Sequence, residues 1–230
     1  MSLKSILKKT KLYEYYSCFR RYYATRWDRK SVKELKKNGS KVLVELEEIL
    51  CSNGIRHFFD FGTLLGIVRD NGIISGDGDI DIGVIIDSTE DKKKIESLLN
   101  NKNIEKVRQF DIENYGVAEE SYFYKKKVRF DLHYYYGYED ERFCFLFYKL
   151  PGREYSSPKT FDSVKVQVHN LTISEYEFNS KKISLPKNPK NIIVQKYGVN
   201  WRIPDRGWPY WEGPCSEKIP EKGCAVLFKR

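Results

Sequence analysis

The chain has 230 residues, 40% hydrophobic, 15% aromatic and 32% charged, which excludes a disordered chain and suits one sizeable core with extensions. Lysine and arginine outnumber aspartate and glutamate by 41 to 32, and the net charge of +9 favours anionic partners such as nucleotides, nucleic acid or an acidic membrane surface without choosing among them. Five scattered cysteines form neither a zinc pattern nor a closed disulfide framework, and there is no signal-type apolar stretch and no apolar run near the ~18 residues of a membrane span. The expectation is a cytoplasmic protein, with peripheral contact at the inner membrane face.

Residues 1–30 set Leu3, Ile6, Leu7, Tyr13, Tyr16 and Phe19 among lysines and arginines, a basic amphipathic segment suited to packing on the body or to an anionic bilayer. Residues 31–230 read as a single domain. Val42, Leu43, Leu46, Ile49 and Leu50 recur at helical spacing, with Ser40 as N-cap and Gly54 as stop. A short strand is expected at 56–61, a turn and short helix at 62–72 stopped at Gly72, and a strand over Asp79–Ile86. Ser88 and Asp91 form a capping box ahead of Ile95, Leu98 and Leu99. Residues 128–136 alternate: Val128, Phe130, Leu132 and Tyr134 share one face, and Arg129, Asp131, His133 and Tyr135 the other. Strands follow at 143–148 and 164–168, then a helix at 189–197 ending at Gly198, and from Trp201 a Trp-, Pro- and Gly-rich tail expected to run as loop.

The chemistry concentrates in Gly76-Asp77-Gly78-Asp79-Ile80-Asp81-Ile82-Gly83. Three aspartates so close repel one another unless a cation sits among them. In a strand Asp79 and Asp81 project together while Ile80 and Ile82 enter the core, which makes a cradle for a hard divalent ion such as Mg2+ or Mn2+. A calcium loop of the EF-hand type fails, because counting from Asp77 its sixth and twelfth positions hold Ile82 and Ser88. Upstream, Gly62-Thr63 stands at a strand-to-helix junction, where a helix N-terminus offers free N–H groups to a phosphate. Arg69, just past the short helix, is a candidate diphosphate contact whose bland alternative is a surface ion pair.

The stretch DFGTLLGIVRDNGIISGDGDIDIGV, Asp60 to Val84, resembles the signature of the LicD/fukutin group of phosphotransferases. KVRFDLHYY around Asp131 is similar to that group's third-carboxylate strand, and KYGVNWRIP, Lys196 to Pro204, to its C-terminal element. The departures are Gly76 and Gly78, where the group commonly has Trp and Asp. The resemblance implies an α/β chain of the α+β type, a mixed-sheet nucleotidyltransferase fold with an N-terminal helical extension and a loop-rich C-terminal tail. It implies metal-dependent transfer of a phospho-alcohol, phosphocholine or a polyol phosphate, from a CDP-activated donor to a sugar hydroxyl of a glycan acceptor, free or lipid-linked, with release of CMP; no nucleic acid partner is expected. Asp79, Asp81 and Asp131 are then the metal ligands and catalytic residues, and Gly62, Thr63 and Arg69 bind substrate. Two other readings stay open: nucleotidyl transfer from an NTP with release of pyrophosphate, and a non-catalytic basic binding module.

The remaining candidates are weaker. His57, His133 and His169 are dispersed, the Lys125-Lys126-Lys127-Arg129 run suits a solvated edge as well as a donor phosphate, and Tyr134, Tyr135, Tyr136, Trp201, Trp208 and Trp211 suit core packing as well as stacking on a sugar or base.

Overall fold

The computed structural model describes residues 11–125, 127–139, 141–150, 152–205 and 208–228, with side chains from residue 30 onward. The first ten residues of the basic segment, and the side chains of 11–29, lie outside that description, and with them its amphipathic face.

A helix, α1 (Lys11–Ser52), leads into β1 (His57–Phe59), α2 (Phe61–Asp70) and β2 (Asp79–Ile85), followed by α3 (Thr89–Asn101). Strands β3 (Glu105–Ile112), β4 (Gly116–Tyr124), β5 (Val128–Tyr138), β6 (Glu141–Tyr148), β7 (Thr160–Val168), β8 (Ile173–Phe178) and β9 (Lys181–Pro186) precede α4 (Pro189–Tyr197), and β10 (Ser216–Leu227) ends the chain. Ser40 is interior to α1 and caps nothing. The helix runs through Gly39, where a Cβ would stand 3.2 Å from Ile73 Cγ1. The Ser88 capping box forms as expected at α3, and α2 closes on Asn71, whose left-handed backbone (φ 51°) ends the helix one residue before Gly72.

The α+β, mixed-sheet expectation holds in its coarse form, and strands dominate. One eight-stranded sheet runs β1-β2-β5-β4-β3-β10-β7-β6, and pairing of β6 with the far end of β5 closes six of these strands into a barrel. Within this sheet β2 and β5 pair in parallel and the other pairings are antiparallel. Closure pairs the outer edge of β6, and Gly137 permits it at a positive φ of 104° where a side chain would strike the Glu141 carbonyl. The loop-rich tail needs correction: Ser216–Leu227 is a barrel strand between β3 and β7. Its punctuation misleads, because Pro220 and Gly223 sit at a bulge where the register against β7 shifts between Ile219 and Gly223.

Leu43, Leu46 and Leu50 of α1 pack with Ile80, Ile82 and Val84 of β2 and Phe130, Leu132 and Tyr134 of β5 in the main core. One face of β2 and β5 is thereby buried under apolar cover, which forces their polar residues onto the opposite face.

Candidate functional site

The parallel register sets Asp79 opposite Arg129 and Asp81 opposite Asp131. From the other side, β4 places Ser121 beside Asp131 and Glu119 beside His133, and β3 places Arg108 beside Ser121. All of these except Ser121 line one cavity of about 440 Å³, together with Asp77, Gly62, Lys196 and an apolar wall that includes Phe110, Phe147 and Phe161. The sequence pattern's three carboxylates therefore meet at one pocket. Asp77 joins them.

Gly62 and Thr63 hold Asp81 in place. The Gly62 N–H donates to Asp81 Oδ2 at 3.1 Å, and the Asp81 N–H donates to Thr63 Oγ1 at 2.9 Å. A Cβ at 62 would stand 2.7 Å from Asp77 Oδ2, so any larger residue there would displace the Asp77 carboxylate. Thr63 is buried and does not line the cavity, so its contact is with the strand. Before them, Phe61 adopts a positive φ of 40°, which turns the chain sharply from β1 into α2 and sets its ring edge-on to His133 at 4.8 Å. Beneath this turn Lys196 of α4 pairs with Asp60 and donates to the Tyr135 hydroxyl at 2.7 Å, while that hydroxyl donates to Asp60 at 2.6 Å. This buried triad ties α4 to the β1–α2 corner.

Arginines occupy the space among the acids. Arg129 pairs with Asp79 and reaches Asp131 at 3.4 Å; Arg108 reaches Asp131 at 3.5 Å and Glu119 at 3.0 Å. Burial works against an ionised Asp131, but Arg129, then Arg108 and His133, outweigh it and hold its pKa below the usual carboxylate range. Asp81 is pushed well above that range, by burial first and then by Asp77, Asp131 and Asp60. Burial likewise raises Asp77 and Glu119. His133 faces Asp81 Oδ1 at 3.4 Å and Glu119 Oε2 at 3.8 Å.

Five buried side-chain polar atoms among the described residues have no hydrogen-bond partner within the protein, and four belong to this cavity: Arg108 Nε, Arg129 Nε, Asp131 Oδ1 and His133 Nδ1. Buried polar groups are otherwise almost always paired, and these four gather at one cavity. For a divalent ion the donor chemistry fits: the carboxylates are hard oxygen ligands, Asp131 keeps an unpartnered oxygen, and a cation would relieve the repulsion felt by Asp81. Among the described residues, however, no three His, Cys, Asp or Glu side chains are already gathered as a metal-binding group; Arg129 stands between Asp79 and Asp131.

Other expected residues lie elsewhere. Arg69 lines a second cavity with Trp201 and Trp208, and its guanidinium is paired to Asp70. Lys125 pairs with Glu45. Trp211 stacks on Tyr148, His57 is bonded to Glu47, and His169 lies at the surface near Glu141. Arg108, Glu119, Lys196 and Tyr210 line the first cavity and were not singled out by the sequence reading.

Carboxylates and arginines thus converge on one pocket of a mixed α+β domain. A family model described as LicD/FKTN/FKRP, nucleotidyltransferase domain, matches residues 54–188, and the chain belongs to that family. It is 28% identical over 175 residues to an uncharacterised protein of Rickettsia prowazekii, covering 72% of this chain and 58% of that one. It is 26% identical over 190 residues to the ribitol-5-phosphate transferase FKTN of Homo sapiens, covering 81% of this chain and 36% of that protein. The chain thus spans less than two thirds of the length of either relative. A lincomycin-bound lincosamide antibiotic adenylyltransferase superposes with 14% identity over 66% of this chain and 82% of that one, at a TM-score of 0.41, too loose a match to define the fold.

Proposed function

We propose that the protein transfers a phospho-alcohol, such as a polyol phosphate or phosphocholine, from a CDP-activated donor to a sugar hydroxyl of a glycan, with release of CMP, on a nucleotidyltransferase-type domain. The observation that carries this reading is the cluster of unpartnered buried donors and acceptors on Arg108, Arg129, Asp131 and His133 beside Asp79 and Asp81. Membership of a family that includes a ribitol-5-phosphate transferase supports it.

In this reading the acceptor oxygen attacks the phosphorus that carries the alcohol, the bond from that phosphorus to the CMP oxygen breaks, and the acceptor proton passes to a base in the pocket. Asp79, Asp81 and Asp131 would hold Mg2+ or Mn2+, which would supply charge neutralisation at the donor diphosphate. Arg108 and Arg129 bind the same diphosphate through their planar forks. Asp131, kept ionised by those arginines, suits a ligand better than a base. In this reading His133, which faces Asp81 Oδ1 at 3.4 Å, carries the proton. The basic N-terminal segment fits an acceptor presented at a membrane surface.

The test is CMP release from CDP-ribitol, CDP-glycerol and CDP-choline in the presence of glycan acceptors, with magnesium or manganese and with a chelated blank, alongside pyrophosphate release from CTP and ATP. Metal-dependent CMP release from one CDP-alcohol is the expected result. Pyrophosphate release instead makes the protein a nucleotidyltransferase, and neither product leaves a binding module.

A further inference from the structure

We infer that the second cavity is the subsite for the acceptor's sugar ring; this inference rests on the transferase reading above. The cavity, about 330 Å³, lies against the first, and Tyr197 lines both. Its walls include Tyr197, Trp201 and Trp208, with the Tyr197 and Trp208 rings 6.2 Å apart at 46°. Arg69, Asn200 and Asp205 supply its polar lining. Arg69 is held flat by a two-pronged pair with Asp70, Nε at 2.9 Å and Nη2 at 2.8 Å.

That combination suits a pyranose. A sugar ring presents an apolar C–H face that packs on an aromatic plane, and a rim of hydroxyls that planar carboxylate, amide and guanidinium groups bond in pairs. A nucleobase would also stack. The first cavity, however, already offers an apolar wall in Phe110 and Phe147, beside the arginines that suit a diphosphate, so a donor nucleoside has a place there. Tyr197, which lines both cavities, would be the wall shared by a ring in the second and the aspartates of the first.

The full chain is tested by saturation-transfer-difference NMR with the methyl glycosides of glucose, galactose, N-acetylglucosamine and N-acetylgalactosamine. CDP with magnesium is titrated separately by calorimetry. Both are repeated on Trp208→Ala and on Asp205→Asn, whose side chains lie in a loop and whose folding is checked by thermal unfolding. At least one glycoside should bind, its affinity should fall by about tenfold or more in each variant, as loss of roughly 1.4 kcal/mol of contact implies, and CDP affinity should not change. The inference is overturned if no glycoside binds, if binding survives both substitutions, or if CDP affinity falls along with the sugar. A wild-type chain that binds a glycoside but not CDP overturns the transferase reading and leaves the cavity a sugar site.

Discussion

Asp81 is held from both sides, by the α2 N-terminus and by its own strand, in a place that disfavours its charge. Its folded pKa is raised, so the stability linked to it is present below the unfolded value near 3.9 and is lost as pH rises through the folded value. Asp81→Asn should therefore keep or raise the thermal midpoint at neutral pH while lowering CMP release by about a hundredfold or more, the loss typical when transition-state electrostatics are removed. Full turnover in this variant would contradict the site. Thr63→Val separates positioning from binding: it strips the acceptor from the buried Asp81 N–H and should cost about 1 to 3 kcal/mol in urea unfolding. An unchanged midpoint would show the bond to be dispensable. The aspartates were legible because period-two spacing fixes which side chains share a face. Arg108 was not, because EKVRQFDI in β3 spreads charged residues over both faces, and Glu119 was not, because in GVAEESYFY of β4 it stands directly beside Glu120, so neither run shows clean alternation.

Elements meet at Glu47 of α1, which accepts from Ser184 of β9 at 2.7 and 3.0 Å and lies 2.9 Å from His57 of β1. One carboxylate thus joins the helix, the main sheet and the β8–β9 hairpin. Burial opposes its charge, but His57 and Ser184 prevail and its pKa is lowered. The sign is opposite to that of Asp81: this stability is present above the unfolded value near 4.3 and is lost as pH falls through the folded one. Glu47→Ala should lose about 1 to 3 kcal/mol at neutral pH, with the gap from wild type closing under acid. A gap independent of pH would remove the ionic part of the account. The sequence placed α1's apolar stripe but not this contact, because its partner is 137 residues away.

At the scale of the molecule, barrel closure decides the shape of the pocket. Gly223, at the β10 bulge, lies under the Phe147 ring, where any Cβ would collide, and Phe147 lines the carboxylate cavity. Gly223→Val should cost about 1 to 3 kcal/mol by overpacking and weaken nucleotide binding with it; a destabilised variant with intact binding would show that the wall is not used. Closure was illegible in the sequence because it depends on β10 joining β3 to β7, and the proline and glycine that permit the bulge read locally as loop. The central claim, that the carboxylates and arginines together receive a nucleotide-activated donor, is tested most directly by titrating the full chain with CDP-ribitol in magnesium and then in excess chelator. The account predicts binding in magnesium that weakens by about tenfold or more on chelation, the loss of one favourable charge contact of roughly 1.4 kcal/mol, and that Arg129→Ala weakens further. Equal affinity with and without the metal, or no binding in either, would contradict it.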